Sequence, residues 1–492
     1  EPVIYDMLTR ADTVGVFQVE SRAQMATLPR MKPRTFYDLA VEVALIRPGP
    51  IQGQSVHPYL RRRNGEEPIR YIHPAAEPIL RKTLGVPIFQ EQLMEIARVC
   101  AGFTPGQSDR LRQAMTHKRS DEEMAKLRDE VYEGMASKGI EGAPADELWE
   151  KLQGFASFGF PESHSVSFAY IVYAASWLKY HWPTEFFMGL LNAQPMGFYS
   201  PNSLVADALH HGVIVLNPDV NASVHDCTIE PHDADPDDLA EYLGMAWRRG
   251  RGAADDPIRQ AVAMRIGLRY VRNLGEADIT RIEAARITGG QFVSIEDFAQ
   301  RTGLSSEAHE GLAASGAFGS LGYDKRDGMW QAGALGQLGP DRLGLEDASA
   351  TPDLPKMDGP EEMQADLWST GISVVHPVSF IRQQLEDEGV GPIADALRLR
   401  SHKARIKVGG VVTHRQRPET AAGVRFLNLE DETGIMNVVM MPQVWEANYE
   451  IARKAVGMVI TGVLEYRDGV TNLVANRLED WPAPTIPSRD FR

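Results

Sequence analysis

Arg47-Pro48-Gly49-Pro50 combines a cation with a rigid bend. Proline followed by glycine is typical of the two central positions of a type II turn, and Pro48 keeps Arg47 out of helical geometry. A guanidinium fixed in this way is suited to bidentate contact with phosphate oxygens. On the tetrapeptide alone, an ordinary loop with a solvent-facing arginine is the alternative interpretation.

Three further cations, Arg112, Lys118 and Arg119, lie on or near one predicted helix. Arg112 and Arg119 are seven residues apart and therefore share a face of that helix. Cations placed in this way would neutralise a polyphosphate and favour the departure of pyrophosphate. A solvated helix face with scattered basic residues is the alternative.

Two polar motifs could contact a ligand. Gln90-Glu91-Gln92 offers amide groups to a base edge or a phosphate, or else forms a polar helix start with Glu91 at the positive end of the helix dipole. Ser163-His164-Ser165 has the residue types of an activated serine, but adjacent side chains on a helix point in different directions and no Gly-x-Ser-x-Gly elbow surrounds them. We therefore expect serine caps and a ligand contact from His164 rather than a serine hydrolase.

A stretch beginning at Gly267 resembles a helix-hairpin-helix, with its hairpin at Asn273 and Gly275. In that motif, amides at a helix N-terminus receive a DNA phosphate without reading sequence. Asn273 stands where the usual hairpin has its first glycine, and asparagine tolerates the left-handed geometry of such a turn. A second unit around Gly316 would complete the pair. A plain helical hairpin is the alternative.

The charge distribution matters more than the total. The 492 residues carry a net charge of −16, which argues against nucleic-acid binding unless the acid lies apart from the binding surface. Acidic residues concentrate in two predicted linkers, 232–238 and 346–366, whereas the motif regions are basic. The pair Asp233 and Asp235 lies in the first of these linkers, without the stiff strand that metal-dependent nucleotidyl transfer requires, and we set it aside.

The elements that must position these residues fall into several regions. Residues 1–215 show mainly helical periodicity. Residues 216–330 contain the hairpin motifs, and 331–400 have the weak pattern of a linker and connecting segment. Residues 401–482 alternate as five short strands with a helix inserted between the third and fourth, a pattern typical of an OB-type barrel. A tail of 483–492 follows. Arg415, Arg417, Arg425, Phe426 and Tyr466 are the barrel's candidates for single-stranded DNA, and a protein-binding barrel is the alternative.

The order of these motifs is similar to that of bacterial C-family DNA polymerases of the polymerase III alpha subunit type. Phe17 to Arg22, the Arg47 turn, Gln90 to Gln92, Arg112 to Met115 and Ser163 to Ser165 succeed one another as in that family. The resemblance implies a multidomain fold of α and β structure: a mainly helical fingers domain, a tandem helix-hairpin-helix region and a C-terminal OB-type β-barrel. It places incoming-nucleotide contacts at Arg22, Arg47, Gln92, Arg112, Lys118 and His164, and DNA contacts at Gly267, Asn273, Gly275 and Gly316.

Two details favour one branch of the family. Pro161-Glu162 replaces the Asn-Lys that usually precedes Ser-His-Ser in the replicative form, and Asn192 to Ser200 is similar to the error-prone paralogue of ImuC type. That branch implies damage-induced translesion synthesis, with primer-template DNA and deoxynucleoside triphosphates as substrates. It also implies an ImuB-like partner that reaches the sliding clamp.

The metal-binding carboxylates that the resemblance implies for catalysis are absent from this sequence. We interpret the chain as the C-terminal part of a polymerase whose metal-binding palm carboxylates, and hence its Mg²⁺, lie upstream, and we expect the chain alone to be inactive. No apolar run long enough to span a bilayer occurs, and two isolated cysteines indicate neither disulfides nor a zinc site. We therefore expect a cytoplasmic protein. A replicative alpha subunit fragment and a non-catalytic DNA-binding scaffold are the alternatives.

Overall fold

The computed structural model describes residues 1–46, 56–116, 120–156, 160–196, 199–232, 262–335, 353–399, 402–417, 423–467, 470–481 and 489–491. For Arg22 and Arg467, and for 56–57, 114–116, 120–126, 154–156, 334–335 and 489–491, it describes the backbone alone. The chain divides into two compact units, Glu1–His181 and Trp182–Arg492, and each is described by itself.

The first unit is helical, as the sequence predicts. Its helices are α1 (Pro2–Thr9), α2 (Arg22–Met31), α3 (Phe36–Leu45), α4 (Val56–Arg63), α5 (Glu77–Leu80), α6 (Gln90–Ala101), α7 (Pro105–Thr116), α8 (Ser120–Ser137), α9 (Ala143–Ala156) and α10 (Glu162–His181). Short 3-10 turns lie at Pro74–Ala76 and Arg81–Thr83.

Helices α3 and α10 form the centre of one half of this unit. Thr35 and Asp38 form a capping box that begins α3, and every residue from Asp38 to Leu45 is buried. Helix α10 packs on α3 and α1 through buried residues at helical spacing, among them Ala169, Val172 and Lys179. The expected serine caps do not form, because α10 begins at Glu162 and the buried hydroxyl of Ser165 donates to the carbonyl of Ala40.

Helices α6 to α9 enclose a second core. It contains Leu93 and Ile96 from α6, Leu111 from α7, Val131 from α8 and Leu148 from α9, all nearly inaccessible to solvent. Apolar side chains three and four positions apart on each helix supply these contacts. The start of α6, which carries Gln90 to Gln92, is therefore anchored by the buried face of its own helix.

The second unit begins with α11 (Pro183–Asn192) and α12 (Pro201–His210). A small sheet follows, with β3 (Val262–Arg265) between parallel β1 (Ile214–Leu216) and antiparallel β2 (Thr228–Pro231). Sequence patterns predict none of these three strands, since strands of three or four residues leave little periodic signal. Helices α13 (Glu276–Gly289), α14 (Ile295–Thr302), α15 (Ser306–Ala314) and α16 (Lys325–Leu335) then pack around a shared apolar core.

Residues 353–399 form more structure than the predicted linker. They contain α17 (Gly359–Ser369), a 3-10 turn at Pro377–Ile381, α18 (Arg382–Asp387) and α19 (Ile393–Arg398). The fully buried carboxylate of Asp431 accepts from the Arg382 guanidinium at 2.8 Å and from the Ile393 amide at 2.9 Å. This carboxylate fastens the connecting segment to the barrel that follows.

The C-terminal region is a closed five-stranded barrel with two short helices between its third and fourth strands, so the predicted fold class is confirmed. Strands β4 (Arg405–Gln416), β5 (Arg425–Asp431), β6 (Gly434–Met440), β8 (Val470–Trp481) and β7 (Gly457–Arg467) pair in a ring that returns to β4. The inserted helices are α20 (Pro442–Ala447) and α21 (Tyr449–Lys454), and β9 (Arg489–Phe491) lies alongside β4.

Among the described helices, none combines the length and the apolarity that crossing a lipid bilayer demands.

Candidate functional site

The start of α6 is held by Gln92, one of the residues predicted to contact nucleotide. Its side-chain oxygen accepts from the amides of Ile88 and Phe89 at 2.9 and 3.1 Å. Its side-chain nitrogen donates to the hydroxyl of Thr83 at 2.8 Å and the carbonyl of Ile79 at 3.3 Å. The residue is buried, and these four hydrogen bonds use its donors and acceptor. The structure therefore gives Gln92 a structural role at this helix start.

His164 lies on the exposed side of α10, two residues after the helix begins. Its ring makes edge-on contacts with Phe160 at 5.1 Å and with Phe168 at 4.5 Å between ring centroids. Phe168 in turn stacks on Phe17 at 5.6 Å. His164 thus belongs to a row of rings that runs along α10, and its exposed position suits a ligand contact.

The starts of α6 and α10 are joined by a network that sequence reasoning missed. The Glu162 amide donates to the Glu91 carboxylate at 2.9 Å, and the Gln90 amide donates to the Phe160 carbonyl at 3.0 Å. The Glu162 carboxylate accepts from the hydroxyl of Tyr37 at 2.8 Å and pairs with the ammonium of Lys82 at 2.5 Å. Burial, together with the hydrogen bond to Glu162, raises the pKa of Tyr37, so this hydroxyl keeps its proton. No local sequence signal marks the pairing, because Lys82 and Glu162 are far apart along the chain.

Arg112 lies on α7 with its side chain 43% exposed. Its guanidinium donates to the Asp109 carboxylate at 2.9 Å, one helical turn earlier. Arg22 opens α2, where Ser21 and Gln24 form a capping box, and its side chain lies outside the described atoms. Arg47 and Lys118 also lie outside the described residues, so their placement relative to Arg112 stays a prediction.

The first hairpin has the geometry that the sequence predicts. Asn273 has φ of 61°, and Gly275 is the residue before the first turn of α13. Both residues are exposed. The Gly275 amide donates to the Asp278 carboxylate at 3.0 Å, which places an acidic group at the helix end where a phosphate would bind.

Arg272 supplies a cation beside that hairpin. Its guanidinium lies 5.0 Å from the ring centre of Trp368, and its amide donates to the Ser369 carbonyl at 2.7 Å. Both partners belong to the end of α17, in the segment that sequence patterns assign to a linker. An exposed arginine stacked on a half-exposed tryptophan is a common nucleic-acid contact, and only packing brings these two residues together.

Gly267 and Gly316 occupy packed positions. The Gly267 amide donates to the Cys227 sulfur at 3.4 Å, and a Cβ there would lie 2.4 Å from the Asp226 carbonyl carbon. Gly316 has φ of 79°, and its amide donates to the Ala313 carbonyl at 3.0 Å. In both cases the glycine permits a close approach or a turn within the protein, and the amide is already bonded.

The barrel carries a compact group of cations and rings around its inserted helices. Arg425 lies over the Trp445 ring at 4.0 Å, and Arg453 donates to the Tyr449 hydroxyl at 2.9 Å. Burial, and then the neighbouring charge of Arg417, lower the pKa of Arg425. We call Arg417, Arg425, Trp445, Tyr449 and Arg453 the barrel patch.

Arg415, another candidate from the sequence, is not part of the barrel patch. It is buried, and its guanidinium donates to the carbonyls of Ala452 and Ala455. It therefore holds α21 against the barrel.

Metal ligands are not gathered within either unit. In Glu1–His181 and in Trp182–Arg492, each taken by itself, the described residues bring no three histidine, cysteine, aspartate or glutamate ligand atoms within 4.8 Å of one another. The described side chains of each unit thus do not fit the carboxylate cluster that a pair of Mg²⁺ ions needs.

Comparison with known proteins agrees with this architecture. Residues 1–139 match the family model of the bacterial DNA polymerase III alpha subunit finger domain, and residues 212–328 match that of a helix-hairpin-helix motif. The error-prone DNA polymerases of Mycolicibacterium paratuberculosis and Nocardia farcinica are each 49% identical over 100% of this chain, and that of Corynebacterium glutamicum is 47% identical. The chain spans 43%, 41% and 44% of these relatives' lengths. The resemblance to C-family DNA polymerases, and to their error-prone form in particular, is therefore confirmed along the whole chain.

Proposed function

We propose that this chain is the nucleotide- and DNA-holding part of an error-prone DNA polymerase that carries out damage-induced translesion synthesis. The observation that carries the proposal is the similarity of the whole 492-residue chain to error-prone DNA polymerases. The finger domain, the hairpin region and the barrel follow one another here in a single chain. A replicative alpha subunit would share this order of domains.

In this proposal the finger domain binds the triphosphate. Arg22, Arg47, Arg112 and Lys118 neutralise the phosphates and so favour attack of the primer 3′ hydroxyl on the α-phosphate. Arg112 can exchange Asp109 for a phosphate at little cost, because an exposed ion pair contributes under about 1 kcal/mol. His164 contacts the nucleotide from the start of α10, and Gln92 positions that region by holding the start of α6.

Mg²⁺ would supply the charge stabilisation of the phosphoryl transfer. We assign the carboxylate ligands of Mg²⁺ to the part of the relatives' sequence that this chain does not match. The described residues of each unit do not form a site for two Mg²⁺ ions. The chain alone should then be inactive in primer extension. An ImuB-like protein would connect the polymerase to the sliding clamp, and the assembly would act in the cytoplasm.

DNA would be held at two places in the second unit. The hairpin at Asn273 and Gly275, with the Arg272–Trp368 pair beside it, would grip duplex DNA at its phosphates. The aromatic rings of the barrel patch would stack on the bases of single-stranded template, and its arginines would neutralise the phosphates. A non-catalytic DNA-binding scaffold would use the same two places, but Arg112 would have no function in it.

Nucleotide binding separates these two functions. Titration of the chain with dATP in a calorimeter should give saturable binding that R112A weakens about tenfold, which is the loss typical of a charge-assisted phosphate contact. Duplex DNA binding should be unchanged by R112A. R398A, which removes an exposed arginine paired with Asp395 on α19, is the matched control and should bind dATP as the unaltered chain does. DNA binding without any dATP binding would favour the scaffold.

A further inference from the structure

The carboxylate of Glu162 has an unusual place for an acidic group near a triphosphate site. It opens α10, two residues before His164, and it is only 21% exposed. The Tyr37 hydroxyl and the Lys82 ammonium both contact the same carboxylate oxygen. Two donors on one oxygen hold this carboxylate in place.

Lys82 is the cation that this carboxylate holds. Its side chain is 48% exposed, and its ammonium lies 2.5 Å from the Glu162 oxygen and 5.2 Å from the centre of the Tyr37 ring. A lysine is a flexible point charge that would otherwise reach toward any nearby anion. The ion pair and the ring together orient it toward the protein's own carboxylate.

The position of this pair connects it with nucleotide binding. Lys82 and Glu162 lie where α3, α6 and α10 begin, and the same helix starts carry Tyr37, Glu91 and His164. Glu91 is also engaged there, since it accepts the Glu162 amide. Positive helix ends and a lysine would attract phosphate, and the two glutamates oppose that attraction.

Resting on the proposed function, we propose that Glu162 is a specificity-determining residue that limits the affinity of the finger domain for triphosphate. It holds Lys82 in an internal ion pair and adds a fixed negative charge beside the nucleotide. Removing that charge should release Lys82 to the phosphates. Within about one Debye length of a phosphate, a single charge that is partly screened by solvent alters affinity by about three- to tenfold.

A double-mutant cycle on the full chain tests this inference. E162Q keeps the hydrogen-bonding shape of the side chain and should tighten dATP binding about three- to tenfold, while deoxyadenosine, which has no phosphates, should bind as before. K82M alone should weaken dATP binding, because it leaves the charge of Glu162 uncompensated. In the K82M background, the gain from E162Q should be smaller than in the unaltered chain, because only the removal of the fixed charge then contributes.

E95Q is the matched control, since it removes one carboxylate from an exposed ion pair with Arg98 on α6. It should leave dATP affinity unchanged, and circular dichroism should show each variant folded. If the unaltered chain binds dATP and E162Q binds it equally well, this inference is wrong while the proposed function stands. If the gain from E162Q persists in full in the K82M background, the role given to Lys82 is wrong. If the unaltered chain binds no dATP, both this inference and the proposed function are overturned.

Discussion

Glu42 is a buried acid without a hydrogen-bond partner in the described part of the chain. It lies in the middle of α3 with no exposed surface, and neither carboxylate oxygen has a partner among the described residues. Burial raises its pKa to about 8, and the charge of Arg63 opposes this only in part. Arg63 is engaged elsewhere, since it donates to the Asp38 carboxylate at 2.6 Å and to the Lys32 carbonyl at 3.0 Å. Glu42 is therefore mostly protonated at neutral pH in the folded protein.

Stability should depend on pH through this residue. Between the ordinary glutamate pKa of about 4.5 and the folded value of about 8, the folded state holds a proton that the unfolded state has lost. The free energy of unfolding therefore falls as pH rises through this window, because the unfolded state binds fewer protons. From pH 5 to pH 9 we expect the unaltered chain to lose on the order of 2–4 kcal/mol more than E42Q does, measured by urea denaturation.

E95Q serves as the control for this measurement. Its carboxylate is exposed and its pKa is lowered by Arg98, so the variant should keep the slope of the unaltered chain between pH 5 and 9. Equal slopes for the unaltered chain and E42Q would show that Glu42 ionises normally in the folded state.

At the level of elements, the first hairpin depends on a glycine in another helix. A Cβ on Gly311 of α15 would lie 2.2 Å from the Arg272 carbonyl oxygen. On its other side, the hairpin backbone donates to the Ser369 carbonyl at the end of α17. Two helices distant in sequence thus set the position of the loop that carries Asn273 and Gly275. The hairpin alone would lack this support.

Replacing Gly311 by alanine should displace the hairpin and weaken duplex DNA binding about three- to tenfold. The added methyl group meets backbone, which cannot rotate away, so the free energy of unfolding should also fall by about 1–3 kcal/mol. Fluorescence anisotropy with a labelled duplex measures the first effect, and chemical denaturation measures the second. G319A is the control, since a Cβ at that glycine would have no atom within 4 Å. Unchanged duplex binding by G311A would remove the hairpin from the DNA-binding surface.

A whole molecule of net charge −16 would need a locally basic surface to bind DNA as proposed. The acidic run 232–238 lies almost entirely outside the described residues, and so does 346–352 of the second run, whereas 353–366 is described. The described cations that suit DNA sit in small groups with aromatic rings, as in the barrel patch. Local potential and stacking, rather than net charge, must therefore provide the binding, and long-range repulsion should make it sensitive to salt.

The double variant R425A/R453A should bind oligothymidine more weakly than the unaltered chain. Each phosphate contact with single-stranded DNA contributes roughly 0.7 to the slope of log affinity against log salt, so the slope should decrease by about 1.4. Anisotropy titrations at several salt concentrations provide both values. R398A should retain the affinity and the slope. An unaltered slope in the double variant would assign the barrel to protein rather than DNA binding.

Local patterns were sufficient for much of the fold. Alternating apolar residues predict the strands of the barrel, Asn273 adopts the left-handed turn expected of it, and the helical periodicity of the first unit matches its helices. These features depend on backbone preferences and on side-chain spacing within a few residues. The order of motifs along the chain likewise indicates the polymerase family, and the comparisons confirm it.

Tertiary structure decided which polar side chains remain available to a ligand. Gln92 and Arg415 have the chemistry of ligand contacts, but both are buried and bonded to the protein's own backbone. Conversely, Trp368 lies beside Arg272, and Glu162 beside Lys82, only because segments distant in sequence pack together. The sequence by itself determined the helices of the first unit, the strands of the barrel and the order of these regions, because these follow from local geometry. Whether a guanidinium, amide or carboxylate faces a ligand or its own protein depends on burial and on partners far along the chain, which only the folded structure brings together.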